Sequence, residues 1–255
     1  MEKATIHLKF GKWTTLISIF LLLAIPRLYS QNQDPSIEAG ISIGPSFPMG
    51  KFSSTATDSN SIHSAANPGL AIQLSFSFPF KHSHFGLGFI TSWQQNSVNT
   101  SHFEQNFQTR FPNSDRINVQ IDYWHIWRFL AGPVWNIPVV KNGKTRFACG
   151  IEAGLLKTSI PTSSVEIYYS GILQTYMRVD SRDLPVAFCY QVHAGIDYSL
   201  SRTLSLTGVV NFSHADPAYT YTYYLDPPVD SYAVYSKRIY SISSLNILLG
   251  IAYAL

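Results

Sequence analysis

The residues of this chain that could carry acid–base or ionic chemistry are few and widely spaced. Charged residues make up 13% of the 255 residues, against about 25% in an ordinary soluble domain. Seven ionisable side chains occupy positions that alternate with apolar ones, so we expect them to share one face. They are Glu38, Asp122, Arg128, Arg146, Glu152, His193 and Asp197. Because unpaired charges are costly to bury, they should pair across strands. The set predicts a polar core or, as an alternative, a narrow conducting path.

A second group of reactive side chains lies near residue 214. Ser213, His214 and Asp216 are residue types that serine hydrolases combine, with the histidine taking the proton of the serine nucleophile. Neighbouring residues on a strand point to opposite faces, so Ser213 and His214 should be poorly aimed at each other. We therefore expect no enzyme, and a lipid hydrolase is the alternative.

Tyrosines concentrate between about residues 215 and 237. Tyrosine offers a large amphipathic contact area at modest entropic cost, so this segment is the candidate for binding a protein partner. Its candidate residues are Tyr219, Tyr221, Tyr223, Tyr224, Tyr232 and Tyr235. The alternative is an extended strand pair that packs on itself. The sequence has no cysteine–histidine cluster with metal spacing and no glycine-rich phosphate loop, so we expect no metal and no cofactor.

The first thirty residues predict a secretory signal peptide. Lys3, Lys9 and Lys12 precede an apolar stretch, residues 16–26, that is too short for an ordinary membrane span. We expect cleavage after Ser30, leaving residues 31–255 as one exported domain; an uncleaved anchor is the alternative. The signal segment holds four of the 18 basic residues and one of the 15 acidic ones, so the remainder is formally neutral. Without a basic block, no nucleic-acid partner is expected.

The rest of the chain alternates apolar with polar or small residues at a period of two, which is typical of β-strands whose faces differ. The pattern predicts eight strands joined alternately by long loops and tight turns. The strands are 36–44, 69–80, 85 to about 93, 117–140, 145–157, 184–200, 203–213 and about 238 to 255. The long loops are about 50–68, 94–116, 158–183 and 215–237. Such asymmetry is typical of outer-membrane barrels, with long loops outside and short turns in the periplasm.

Composition decides which face meets solvent. The polar face consists mainly of Gly, Ala, Ser, Thr, Asn and Gln, which suits the narrow lumen of an eight-stranded barrel better than a soluble exterior rich in Lys and Glu. The sequence therefore predicts an all-β fold, an eight-stranded antiparallel up-and-down transmembrane β-barrel. In that fold Cys149 faces lipid and Cys189 faces the lumen, which argues against a disulfide between them.

Three segments carry a resemblance to known barrels: Gly-Ile-Ser-Ile-Gly-Pro-Ser-Phe-Pro at 40–48, His-Ala-Gly-Ile-Asp-Tyr-Ser-Leu at 193–200, and the ending. The chain resembles outer-membrane proteins related to the eight-stranded OmpA transmembrane domain, and most of all the PorT-type barrel family of Bacteroidetes. The resemblance implies the outer membrane of a Gram-negative bacterium and contact with its lipid. It also implies a C-terminal signal for the barrel-assembly machinery at Gly250, Tyr253 and Leu255, although the usual last residue is Phe.

The resemblance implies location more than activity, because many functions share this pattern. The expected role is structural or interaction-based, with extracellular loops displayed and an unknown surface or periplasmic protein as partner. Membership of an envelope or secretion complex rests on the resemblance alone. A narrow channel is the alternative to this role. The final strand, residues 245–255, is expected to close the barrel against residues 37–43.

Overall fold

The structure is a computed structural model that describes residues 37–54, 65–81, 83–139, 144–180, 184–226 and 232–255. The predicted signal peptide, residues 1–30, lies outside the described residues. Strands and the helix are numbered in chain order. They are β1 (Glu38–Met49), β2 (Ala66–Pro79), β3 (Phe85–Val98), α1 (Thr100–Arg110), β4 (Arg116–Ile121), β5 (Trp124–Pro138), β6 (Thr145–Ser159), β7 (Ser163–Tyr169), β8 (Ile172–Asp180), β9 (Val186–Ser199), β10 (Leu204–Ala215), β11 (Ala218–Asp226), β12 (Tyr232–Ile239) and β13 (Ile242–Ala254).

Eight of these strands form a closed antiparallel barrel in the order β1-β13-β10-β9-β6-β5-β3-β2. Barrel strands that follow one another along the chain are neighbours, which confirms the predicted up-and-down barrel. The last strand closes on the first, with Glu38 opposite Ala254 and Met49 opposite Ser243. A 3-10 turn at Gly50–Phe52 follows β1. No helix in the described part of the chain has the length and hydropathy needed to cross a membrane.

The strand faces agree with the alternation in the sequence. On β13, Leu249 is 70% exposed on the outside, whereas its neighbour Leu248 is 1% exposed in the lumen. The same alternation puts Ile41 and Ile43 of β1 outside and Ser42 inside. Apolar side chains therefore cover the exterior, and small or polar side chains fill most of the interior.

Two of the predicted long loops, 158–183 and 215–237, contain paired strands, so the prediction of loops was wrong for them. Their strands and β4 form a second sheet of five strands in the order β12-β11-β8-β7-β4. The Tyr-rich segment forms the β11–β12 hairpin, paired from Ala218 opposite Ile239 to Leu225 opposite Tyr232. The backbone of this segment is therefore an extended strand pair, as the alternative predicted. The pair does not stand alone, because β11 also pairs with β8. These five strands lie within three of the connections between successive barrel strands.

The predicted strand 117–140 is divided between the two sheets. β4 pairs with β7 in the second sheet, and β5 pairs with β3 and β6 in the barrel. The chain changes sheet at Asp122, whose backbone N–H donates to the Thr162 carbonyl at 3.0 Å. Apolar and polar positions keep the same parity across this break, so the alternation could not reveal it.

Helix α1 replaces part of a predicted loop. The Asn99 side chain accepts a hydrogen bond from the His102 N–H at 3.2 Å, which satisfies one free donor of the first turn. Phe103, Phe107 and Phe111 recur every four residues and pack against the β4–β7 face at Val119, Val165 and Ile167. That spacing is the sequence signal of the helix. The surrounding Ser, Thr and Asn residues obscured it.

Candidate functional site

Ionic side chains cross the lumen at the turn end, which is the end of the barrel where β2, β5 and β9 finish. Arg146 Nη1 lies 2.5 Å from Glu38 Oε1, and Nη2 donates to Oε2 at 3.0 Å. Arg146 Nη2 also lies 3.6 Å from Asp197 Oδ2 on the neighbouring strand. β1 and β6 are separated by three strands in either direction around the barrel. This lumen brace, Glu38–Arg146–Asp197, therefore joins opposite walls.

A second close contact between titratable side chains lies deeper in the lumen. Glu152 Oε1 is 2.8 Å from His193 Nδ1 on the adjacent strand, and the Glu152 side chain is fully buried. The angle between them does not make a hydrogen bond, and neither Glu152 oxygen has another partner among the described residues. A Cβ at Gly150 would meet His193 Cε1 at 2.5 Å and Glu152 Oε1 at 2.7 Å. The pair thus occupies space that a glycine leaves free.

Arg128 is fully buried nearer the loop end, where β1, β3, β6 and β10 finish. Its Nη2 donates to Ser244 Oγ at 3.0 Å, and Ser244 donates to Gln94 Oε1 at 3.1 Å. Cys189 is also beside the guanidinium, whereas Nε and Nη1 have no partner among the described residues. Arg128 therefore lies in neutral polar surroundings, and the expectation that the charges pair holds for Arg146 but not for Arg128.

Amide side chains form a network that the charge-based prediction did not include. Asn211 donates to Gln73 at 3.0 Å, and Asn246 donates to Asn211 at 2.8 Å. All three side chains are at most 4% exposed. Their inward parity in three predicted strands was the signal that could have identified them.

Large apolar side chains form a buried cluster at the loop end of the lumen. Phe52 packs edge-on against Trp124 with ring centroids 5.5 Å apart, and Tyr240 contacts Trp124 at 5.7 Å and Tyr219 at 5.3 Å. We call this cluster, together with buried Ile126 and Ile242, the apolar cap. Edge-to-face pairs are a favourable arrangement of aromatic rings, so the cap packs as one cluster at the loop end of the lumen, above Arg128.

Two predicted site residues are placed elsewhere than expected. Asp122 is exposed between β4 and β5 and not in the lumen, because the chain has not yet entered the barrel there. Tyr219 is fully buried in the apolar cap, so it is not available to a partner. Burial raises the pKa of the Tyr219 hydroxyl, which keeps it a neutral phenol.

The other predicted binding and assembly residues lie on paired backbone. Tyr221, Tyr223 and Tyr224 are on β11 and Tyr232 is on β12, and their contact with a partner stays a prediction. Gly250 is opposite Ser42, Tyr253 is exposed on the outside, and the Leu255 N–H donates to Ile37 O at 2.8 Å. Recognition of Gly250, Tyr253 and Leu255 by assembly machinery also stays a prediction.

The Ser213–His214 dipeptide points to two faces, as its parity predicts. Ser213 faces the lumen, where its hydroxyl lies 3.0 Å from Ser244 Oγ. His214 faces outward, where Nδ1 lies 2.8 Å from Ser243 Oγ and Nε2 lies 3.3 Å from Asp216 Oδ2. The serine that meets His214 is therefore Ser243 of the adjacent strand, which the sequence did not single out.

Thiols and metal ligands add no further site among the described residues. Cys149 and Cys189 are free thiols, the first partly exposed and the second buried. Within the described ranges, no group of three or more His, Cys, Asp or Glu side chains could hold a metal ion.

Comparison with known proteins gives similarity of fold only. No protein-family profile matches the sequence, and no curated protein is significantly similar to it. A major outer membrane protein from Thermus thermophilus has a TM-score of 0.48 and 10% identity over 86% of this chain and 100% of that one. OprG from Pseudomonas aeruginosa has a TM-score of 0.45 and 10% identity over 88% and 98%. Neisserial surface protein A has a TM-score of 0.43 and 7% identity over 88% and 100%. Such low identities assign no activity to this chain.

Proposed function

We propose that this protein is an outer-membrane barrel with a structural or interaction role. It carries a sealed lumen and displays a folded sheet at the cell surface. One observation carries the interaction role, namely an exposed apolar pair at the tip of a rigidly held hairpin. The PorT-type resemblance adds a Gram-negative outer membrane and an envelope or secretion complex to the proposal, and both rest on that resemblance.

The exterior of the barrel supports placement in a membrane. Outward side chains of every barrel strand form an exposed apolar belt. The belt includes Ile43, Leu74, Leu87, Phe129, Leu155, Phe188, Leu206 and Leu249. A contiguous apolar surface of this extent would drive aggregation in water, and lipid is the environment that accepts it. Inside the barrel, polar side chains such as Gln73, Asn211 and Asn246 hydrogen-bond to one another.

The hairpin formed by β7 and β8 supports contact with another protein. Ile172 and Leu173 are 62% and 47% exposed beside its turn, at the end of β8 remote from the barrel. Ser170 and Gly171 have φ angles of 52° and 75°, which suit a two-residue hairpin turn. The Gly171 N–H donates to Asp115 Oδ2 at 3.0 Å. A tip held in place in this way loses little entropy on binding.

Site-specific photo-crosslinking in native membranes tests the interaction role. We expect a crosslinker at Ile172 to join a protein that a crosslinker at Ser201, an exposed residue at the turn end, does not join. Leu173→Ser should remove at least about 90% of that product, because losing a buried apolar anchor costs roughly 1.5–3 kcal/mol. An Ile172 product that persists unchanged in Leu173→Ser would contradict contact through the apolar tip.

The packed lumen favours a closed barrel rather than the alternative of a narrow channel. The lumen brace crosses the turn end, Glu152 and Arg128 are fully buried, and the apolar cap covers the loop end. Planar-bilayer recording of the purified protein should show no discrete conductance steps. Reproducible steps of fixed size in the wild type, lost after heat unfolding, would instead favour the channel.

A further inference from the structure

The outer rim of the barrel holds a hydroxyl, an imidazole and a carboxylate in hydrogen-bonding sequence. Ser243 Oγ is 2.8 Å from His214 Nδ1, and His214 Nε2 is 3.3 Å from Asp216 Oδ2. We propose that Ser243, His214 and Asp216 form a serine-esterase centre that cleaves acyl esters of membrane lipids. This activity goes beyond the structural and interaction role proposed above.

Strand pairing explains how the three side chains meet. His214 and Ser243 are direct cross-strand partners on β10 and β13, and both point outward. Asp216 follows one residue after β10 ends, so its side chain can turn back to the ring. Such trios recur on unrelated folds and are identified by geometry and not by position in the sequence. The adjacent serine, Ser213, is excluded because it points into the lumen.

The proposed chemistry uses the tautomer of His214 that carries its proton on Nε2. When the Nε2 proton is donated to the Asp216 carboxylate, Nδ1 keeps its lone pair and can accept the Ser243 proton. Asp216 then orients the ring and stabilises the imidazolium that forms, so it is a positioning residue. The His214 side chain is 25% exposed and that of Asp216 is 54% exposed. The trio is therefore accessible from outside the barrel.

The surroundings select a lipid as the substrate class. His214 and Ser243 are flanked on the outer face by Tyr190 and Met49, their cross-strand neighbours. The next outward row, two residues toward the turn end, is entirely apolar. It consists of Val192, Phe212, Leu245 and Phe47. An acyl chain lying on that row would bring its ester group level with Ser243.

The reaction balances with water as the only co-reactant. Ser243 Oγ bonds to the ester carbonyl carbon while Nδ1 of His214 takes the hydroxyl proton. The carbon–oxygen bond to the lipid alcohol then breaks, and that alcohol leaves with the proton from His214. Water attacks the acyl-serine, again losing a proton to His214, which returns it to Ser243 Oγ. The products are a free fatty acid and the deacylated lipid.

Two measurements on the full chain, folded in mixed micelles of detergent and phosphatidylethanolamine, test this proposal. The first is release of fatty acid. The second is covalent labelling of Ser243 by a fluorophosphonate, localised by fragmentation of the peptide that contains residues 239–255. We expect both in the wild type. Ser243→Ala should abolish the label and lower fatty-acid release by roughly 100-fold or more, because nucleophile and base act together.

Three further substitutions separate chemistry from folding. Asp216→Asn should slow both labelling and hydrolysis by roughly 10-fold or more, and Asp216→Glu should recover part of the loss, which a purely structural role would not show. Ser97→Ala is the matched control, since Ser97 is also an outward serine near the end of its strand but accepts a hydrogen bond from Asn67 at 3.4 Å. It should keep the wild-type rate within about twofold.

Heat-modifiable gel mobility establishes that each variant is folded. A folded wild type that neither labels at Ser243 nor releases fatty acid would overturn the proposal. So would hydrolysis that persists unchanged in folded Ser243→Ala. Cleavage of a water-soluble acetate ester without any release from phosphatidylethanolamine would overturn the assignment of lipid as substrate.

Discussion

Replacing Gly250 by alanine is expected to prevent normal closure of the barrel. A Cβ at Gly250 would collide with the Ile41 carbonyl oxygen and would lie 2.7 Å from Ser42 Cα. On the facing strand, a Cβ at Gly44 would collide with the Ile247 carbonyl oxygen. The β1–β13 seam therefore depends on glycine on both sides. Because backbone atoms cannot move aside as a flexible side chain can, we expect a loss of about 3 kcal/mol in the free energy of unfolding.

The measurement is refolding of urea-unfolded protein into detergent, followed by gel mobility before and after heating and by urea titration. Gly208→Ala is the matched control, because a Cβ there would meet only Leu249 Cδ2 at 3.5 Å, an ordinary contact. We expect Gly208→Ala to refold like the wild type and Gly250→Ala to refold poorly.

This experiment also separates two roles of Gly250. The refolding assay contains no assembly machinery, so a defect in it is steric. If purified Gly250→Ala refolds with wild-type stability, the close approach at the β1–β13 seam is wrong. A defect seen only in cells would then favour the predicted assembly signal.

Replacing Arg146 by methionine is expected to destabilise the barrel by about 2 kcal/mol. Removing one partner of a buried pair costs roughly 3–5 kcal/mol, and the side chains of Arg146 and Glu38 are still 25% and 20% exposed, which screens part of the interaction. Arg146→Met leaves the Glu38 and Asp197 carboxylates in the lumen without their cation. Urea titration in detergent at neutral pH measures the loss.

Acid should reduce the difference between the wild type and Arg146→Met. Carboxylates take up protons at acidic pH, so the wild type loses its ion pairs while the variant loses its unpaired negative charges. The gap in the free energy of unfolding should therefore shrink as the pH falls. A gap that is the same at neutral and acidic pH would contradict an ionic origin.

Arg128→Met is the informative counterpart to Arg146→Met. Arg128 is fully buried and donates to neutral Ser244, with Nε and Nη1 unpartnered in the described part of the chain. Burying an ion costs several kcal/mol, and its replacement by an apolar side chain of similar volume is often neutral or stabilising. We expect Arg128→Met to be at least as stable as the wild type. A loss as large as that of Arg146→Met would show that Arg128 supports the lumen after all.

The alternation of residues by itself determined the strands and their two faces, and the composition of the faces indicated which one is turned outward. Period two is a local property of an extended chain, so the outward position of Leu249 and the inward position of Glu152 could be read without knowing their neighbours. The same local pattern identified all eight barrel strands and the closure of β13 on β1. It also separated Ser213 from His214, since consecutive residues on a strand point to opposite sides.

Only the tertiary structure decided which side chains meet. Arg146 contacts Glu38 across the lumen, and His214 contacts Ser243 on the next strand. Both contacts are set by strand register, which depends on how the whole barrel closes. Tyr219 is buried because the second sheet begins over the apolar cap, a contact that no local pattern encodes. The prediction of Asp122 in the lumen was wrong because the alternation continues unchanged where the chain passes from one sheet to the other. Alternation specifies a face, whereas register and sheet membership are set by contacts between residues distant in sequence.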